Sequence, residues 1–329
     1  METLPNLGQL INEGSERVQC EYVSEKEIYR RMAGIMMNGT SSVAPLAKRL
    51  KGKVAIVTGG AGGFGEATAR LFLQHGAKVI IADVQDDKGL SLCNEILSKS
   101  CCNNDHDDVG EIISYVHCNI SDETDMEHLV DLTISKHGKL DIMFNNAGIS
   151  GDTNPTILGT TNENFNKVFN VNVLGGFLGA KHAARVMIPR KSGVILFTAS
   201  LASIIGGQSP HAYTMSKHAI IGLMKNLCVE LGQHGIRVNA ISPGGVATPI
   251  LVDALKMERK MVDELLCEAT VLKGVVPQED DVANAALFLA SDEAKFVTGV
   301  NFMIDGGAGI TNPSFSLVLR NFLASNSNA

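Results

Sequence analysis

Short apolar runs alternate with longer segments of helical spacing from Lys53 to Ile304. Lys53–Thr58 (KVAIVT), Lys78–Ala82 (KVIIA), Ile112–His117, Leu140–Phe144, Val194–Thr198, Arg237–Ile241 and a last run near Val300–Ile304 read as strands. Helices are predicted over Glu66–Gly76, near Asp87–Ser98, from a cap at Ser121 with Asp122 and Glu123 to Gly138, over Phe165–Met187 and Ala212–Gln233, and near 250–268 and 279–290. A strand without a polar side must be covered on both faces. The pattern therefore predicts a single α/β domain over 49–329, a doubly wound, seven-stranded parallel sheet with helices on both faces. Residues 99–110 read as a polar loop. Residues 1–48 carry mixed charge and no sustained period, and read as a flexible extension.

Composition narrows the partners. Lys+Arg 28 against Asp+Glu 35 gives a net charge of −7, which disfavours nucleic acid and anionic membrane. The acidity is local: Ser100 to Ser135 holds nine Asp and Glu and no Lys or Arg. The longest uncharged run, Ser192–Ser216, is broken by Gly193, Gly206, Gly207 and Pro210, so no membrane span is expected. Glu2, Glu13 and Glu16 stand where a secretory signal would be basic and then apolar. Seven cysteines without a Cys-x-x-Cys fit reduced thiols and no metal site. The expected location is cytoplasmic, with a plastid transit peptide in 1–48 as the lesser alternative; Met36 or Met37 could also be the start.

Thr58-Gly59-Gly60-Ala61-Gly62-Gly63-Phe64-Gly65 lies between the first strand and the first helix. Glycines there let the backbone turn tightly and approach a pyrophosphate at a helix N-terminus. Without a Gly-Lys-Ser/Thr, a nucleotide triphosphatase loop is disfavoured. Asp83 ends the second strand, where a carboxylate accepts from the adenosine ribose hydroxyls and repels a 2′-phosphate, so the expected cofactor is NAD. Tyr213 and Lys217 share one helix face at i,i+4 spacing. A neighbouring ammonium and a nicotinium ring both favour the phenolate, so a lowered Tyr213 pKa is expected, with the tyrosine taking a hydroxyl proton as hydride leaves for the cofactor. Ser200 follows the fifth strand and could hold the reacting oxygen; Ser203 is its rival.

Taken together, Thr58–Gly65, Asn145-Asn146-Ala147-Gly148, Ser200, Tyr213-x-x-x-Lys217, Pro243-Gly244, Thr248 and Asp305-Gly306-Gly307 resemble the short-chain dehydrogenase/reductase family over about 49–315. Lys181–Pro189, Gly235–Asn239 and Thr311–Phe315 resemble its plant specialised-metabolism members. The resemblance implies a Rossmann fold and a site residue by residue. Tyr213 would be the acid/base, Lys217 would lower its pKa and bind the nicotinamide ribose, and Ser200 would orient the reacting oxygen. Asn172 would hold a water linking Lys217 to solvent. Gly59, Gly63 and Gly65 match the phosphate glycines. Asn145 and Gly148 would line the adenosine end, with Asn119 and Ile120 also on the cofactor, and Thr248, after Pro243, would hold the carboxamide. Two residues depart from the family pattern. Phe64 stands where Ile or Leu is usual, beside the pyrophosphate. Asn119 stands where an Asp usually accepts from the adenine amine.

The implied function is NAD-dependent oxidation of a secondary alcohol to a ketone. Walls at 150–160, 204–210 and 245–270, with Ile204, Ile205, Val246, Ile250, Leu251, Leu255 and Met257, suggest a hydrophobic cyclic substrate such as a monoterpenol (borneol, for example) or another terpenoid or lignan. A non-redox relative that keeps NAD for cyclisation or binding, and an NADPH-dependent ketone reductase, are the alternatives. Family members commonly form two-fold symmetric tetramers through the two long helices, so a homotetramer is expected.

Overall fold

The computed structural model describes residues 48–101, 112–152, 154, 156–207 and 209–311. The expected extension lies outside these residues apart from Lys48, as do most of the polar loop at 99–110 and the end of the Thr311–Phe315 stretch.

Seven parallel strands form one sheet in the order β3-β2-β1-β4-β5-β6-β7. They are β1 (Val54–Thr58), β2 (Lys78–Asp83), β3 (Ile113–His117), β4 (Ile142–Asn145), β5 (Gly193–Thr198), β6 (Ile236–Pro243) and β7 (Asn301–Ile304). The connecting helices are α1 (Gly63–Gln74), α2 (Asp86–Cys101), α3 (Glu123–His137), α4 (Asn162–Phe169), α5 (Gly175–Met187), α6 (His211–Gly232), α7 (Pro249–Leu255), α8 (Arg259–Ala269) and α9 (Glu279–Ala290). The chain reverses its direction of travel across the sheet between β1 and β4, and ligands of such sheets bind at that switch point.

Strand alternation divides the core between the two faces. Val54 and Ile56 join Met126 and Leu129 of α3, Leu178 of α5, and Ile220 and Met224 of α6. Ala55 and Val57 join Ala69 and Phe72 of α1, Leu92 of α2, and Val282 and Leu289 of α9. Both sides of β1 are apolar, which is why the run shows no period of two. Phe72, Phe144 and Phe197 are fully buried, each contributing up to about 3 kcal/mol.

Local chemistry sets the helix ends. Gly76 takes a left-handed φ of 85° after α1, and the N–H of Ala77 reaches back to Phe72 O while that of Gly76 reaches Leu73 O, a Schellman closure. Gly138 closes α3 at φ 71°. The N-cap of α3 is Asp122 rather than Ser121, its carboxylate accepting the Thr124 N–H at 2.8 Å. α1 begins at Gly63, three residues before the predicted start, because the glycine loop runs straight into helical turns.

Two predicted helices are interrupted. The helix expected over Phe165–Met187 starts at Asn162, capped by Thr161, and contains a π turn over Asn170–Leu174, where the Gly175 N–H reaches Asn170 O five residues back. Apolar spacing does not register one extra residue in a turn. The helix expected near 250–268 is two, because Lys256 turns left-handed at φ 53° and Glu258 is extended. Cys93, Cys118, Cys228 and Cys267 are free thiols. Burial pushes Cys93 up to about 11 and Cys118 up to about 12, which makes both poor nucleophiles.

Two glycines give opposite expectations. A Cβ on Gly179 of α5 would lie 1.8 Å from Asn145 Oδ1, whereas one on Gly222 of α6 meets nothing within 4 Å. Gly179→Ala should lower stability by about 1–3 kcal/mol through overpacking. Gly222→Ala should raise it by roughly 0.5–1 kcal/mol through helix propensity. Urea midpoints of the two variants check the pair, and equal shifts would contradict the packing described.

Candidate active site

The glycine loop sits at the switch point. A Cβ on Gly59 would lie 2.8 Å from the Ala147 backbone, and one on Gly65 would lie 2.1 Å from Gly59 O, so both positions are closed to larger residues. Gly62 caps α1 without any side-chain bond, and a Cβ there meets nothing within 4 Å. An uncapped helix N-terminus facing open space fits a phosphate group. Gly63, at φ 53°, faces the Thr248 side chain, which a Cβ there would approach to 3.8 Å. Thr248 is buried at the start of α7, and Pro243 is buried at the end of β6, opposite Ile304. Phe64 is half-buried and packs into the apolar layer of the α1–α9 face, so the bulk expected beside the pyrophosphate is partly absorbed by the core.

Asp83 is buried at the tip of β2. Its Oδ2 accepts the Ala61 N–H at 3.1 Å, and its Oδ1 accepts the Gln85 N–H at 3.0 Å. The carboxylate is therefore tied to the phosphate loop. Asn119 spends its amide oxygen locally, on the Ser121 N–H at 3.2 Å and hydroxyl at 2.8 Å. Ile120 is buried against Gly175.

Two residues expected at the adenosine end have these surroundings. Asn145 is the last residue of β4, and its side chain turns under the sheet toward Gly179 of α5. Its Nδ2 is buried without a partner among the described residues. Gly148, three residues further on, has left the sheet; a Cβ on it would lie 3.2 Å from Asn172 Oδ1 and 3.4 Å from Lys217 Nζ, at the catalytic end.

Asn146 performs the joining role that sequence reasoning did not assign. Its Nδ2 donates to Thr58 O at 3.0 Å, its N–H donates to Thr58 Oγ1 at 3.0 Å, and its Oδ1 accepts from Thr198 Oγ1 at 2.9 Å. The tips of β1, β4 and β5 are stitched together by this one side chain. The available signal was three polar residues, Thr58, Asn146 and Thr198, each at the end of an apolar run.

Lys217 Nζ lies 5.4 Å from the centre of the Tyr213 ring and donates to Thr198 O at 2.8 Å. Ser200 accepts the Ala202 N–H at 3.1 Å, and its hydroxyl is close enough to the Tyr213 phenol to counter part of the effect of burial on it. Ser203, the rival, instead meets Ser242 Oγ and Asn301 Nδ2, each at 3.3 Å. Asn172, in the π turn, is 4% exposed. Its Oδ1 accepts the Ile149 N–H at 2.8 Å, and its Nδ2 donates to Ile149 O and Ser216 Oγ, both at 3.0 Å.

The expected fall in the Tyr213 pKa does not occur in the protein alone. Burial pushes the phenol up, and the Ser200 hydrogen bond only partly offsets this. Burial also pushes Lys217 down to about 8. Removal from water penalises the charged form of each, phenolate and ammonium alike.

A cavity of about 510 Å³ lies between the segment after β4 and α7, reaching the cluster through Ile149, which Asn172 holds. Ile149, Ile250 and Ala254 line it together with Asp152, Asp253 and Lys256, so its wall is amphipathic rather than wholly apolar. Among the described residues no group of three or more His, Cys, Asp or Glu is placed to hold a metal ion, and no helix is long and apolar enough to cross a membrane.

A doubly wound sheet with an open phosphate cradle and a Ser–Tyr–Lys cluster defines a nicotinamide-dependent oxidoreductase. Residues 59–309 match the family model described as enoyl-(acyl carrier protein) reductase. The chain belongs to the short-chain dehydrogenase/reductase family. It is 54% identical to "Short chain aldehyde dehydrogenase 1" of Euphorbia lathyris, over 88% of this chain and 99% of that one. It is 50% identical to secoisolariciresinol dehydrogenase of Forsythia intermedia, over 84% and 96%, and 48% identical to (+)-borneol dehydrogenase 1 of Salvia officinalis, over 84% and 100%. The crystal structure of levodione reductase superposes with a TM-score of 0.73 at 32% identity, covering 80% of this chain and all of that one.

Buried Lys217 has a pH consequence. Its folded pKa, about 8, lies below the unfolded value of 10.5. Between those values the unfolded chain binds more protons, so this group makes stability rise with pH. Lys217→Met removes that contribution. From pH 8 to pH 10 wild-type stability should rise relative to the variant, as urea midpoints at each pH would register.

Proposed function

We propose that this protein is an NAD-dependent alcohol dehydrogenase that oxidises a secondary alcohol to a ketone on a hydrophobic cyclic metabolite, a monoterpenol such as borneol or another terpenoid or lignan. The observation that carries the reading is the convergence of Ser200, Tyr213 and Lys217 beside a cavity, with Asp83 held against the phosphate loop by the Ala61 N–H. The buried carboxylate favours ribose hydroxyls over a 2′-phosphate, hence NAD. The relatives named for a lignan and for borneol support the substrate class. Exposed Phe177 on α5 and exposed Met215 and Val229 on α6 are compatible with helix-to-helix assembly into a homotetramer.

The residues divide the work. A bound nicotinamide supplies the hydride acceptor. Gly59, Gly62, Gly63 and Gly65 would hold the pyrophosphate, Asp83 the adenosine ribose, and Thr248 the carboxamide end. Ser200 Oγ orients the substrate hydroxyl. Tyr213 Oη takes the hydroxyl proton while the carbinol carbon loses its hydride, leaving C=O. Ser200 favours the phenolate against the pull of burial, and the Lys217 ammonium over the ring would act in the same direction by its charge.

A panel of borneol, other terpenols, lignan alcohols, sugars and short-chain alcohols, each with NAD and with NADP, tests this. Reduced cofactor should form with NAD and the cyclic apolar alcohols. Turnover of sugars or short-chain alcohols alone would reject the substrate class, and isomerised product without reduced cofactor would reject dehydrogenation. Tyr213→Phe should lower kcat by about a thousandfold, the usual scale of a lost acid/base. Asp83→Ala should shift the NAD:NADP preference at least about tenfold toward NADP, since a like-charge repulsion is removed.

A further inference from the structure

Ser216 is fully buried, one residue before Lys217, and has no part in the proton and hydride transfers above. Its hydroxyl has two partners. It donates to the Tyr213 carbonyl at 2.7 Å, an oxygen that can only accept. With its proton committed there, the Ser216 oxygen can only accept from Asn172, at 3.0 Å. That fixes which way the Asn172 amide faces: Nδ2 toward Ser216 and Oδ1 toward the Ile149 N–H. Asn172 then grips both the N–H and the carbonyl of Ile149. Ile149 lines the cavity, and Gly148 before it lies against Lys217.

We propose that Ser216 is a positioning residue: its hydroxyl orients the Asn172 amide so that the Gly148–Ser150 backbone forms a fixed cavity wall beside Lys217. The inference rests on the dehydrogenase reading for its kinetic consequence but not for its structural one. Without the hydroxyl, Nδ2 loses one of its two acceptors, and only the two Ile149 backbone bonds hold the amide against turning. Turning would set Oδ1 against the Ile149 carbonyl and Nδ2 against its N–H, so the grip on Ile149 would be lost. The wall would then be mobile where the alcohol binds, and Tyr213, held by its own helix, would remain in place.

Ser216→Ala and Ser216→Thr test this. Threonine keeps a hydroxyl that can bond the carbonyl three residues back in a helix. In Ser216→Ala the KM for the alcohol should rise about tenfold, the scale of a buried group left unpaired, with a smaller change in kcat and the same midpoint in the pH profile of kcat. Ser216→Thr should restore KM. In an Asn172→Ala background, Ser216→Ala should add almost nothing, because the two act as one unit. Hydrogen exchange of the Ile149 amide, which needs no substrate, should accelerate in Ser216→Ala and not in Ser216→Thr. Wild-type protection of Ile149 in Ser216→Ala, or additive losses in the double variant, would overturn the proposal. An inactive wild type with accelerated Ile149 exchange in Ser216→Ala would sink the dehydrogenase reading and leave the positioning role standing.

Discussion

Thr198 is where the sheet and the chemistry meet. Its hydroxyl donates to Asn146, which binds the backbone at Thr58 and Gly59, and its carbonyl accepts from Lys217. One residue at the tip of β5 therefore relates the phosphate loop to the ammonium on α6. Glycine at positions 59 and 65 lets the loop close to the spacing this arrangement needs. The phosphate cradle and the catalytic cluster are parts of one hydrogen-bonded assembly, built where the strand order reverses.

The same burial that makes the assembly rigid works against its charges. Lys217 is nearly inaccessible, and among the described residues its ammonium donates to the Thr198 carbonyl and stands over the Tyr213 ring. Tyr213 has the Ser200 hydroxyl. In the protein alone burial therefore raises the phenol and lowers the ammonium, and the positive charge of an oxidised nicotinamide would add to what favours the phenolate.

Much of this was legible in the sequence. Strand and helix order, the glycine loop, Asp83 and the Tyr213–Lys217 face follow from periodicity and spacing, because each depends on residues near one another in the chain. What escaped depends on contacts between distant segments. The π turn at Asn170–Leu174 leaves the apolar pattern intact, yet it places Asn172 against Ile149. Asn145 and Asn146 are adjacent and chemically identical, and strand alternation sends one under the sheet and the other to the site. The cavity wall looks apolar when Ile250, Leu251 and Leu255 are weighed alone; Asp253 and Lys256 interleave with them, and it takes the fold to show that they line the cavity, with Asp152 joining from the segment after β4. Tyr213 was expected to have a lowered pKa because the ammonium was foreseeable from spacing and the depth of burial was not.

In the proposed reaction hydride leaves a carbinol carbon of a cyclic alcohol for NAD while Tyr213 takes the proton. Borneol deuterated at the carbinol carbon, incubated with NAD and the full chain, tests it most directly when the recovered cofactor and product are weighed by mass spectrometry. One deuterium is expected in the reduced cofactor, none in the ketone, and a slowed rate relative to unlabelled alcohol. Product that retains the deuterium, or transfer that occurs with NADP and not with NAD, would contradict it.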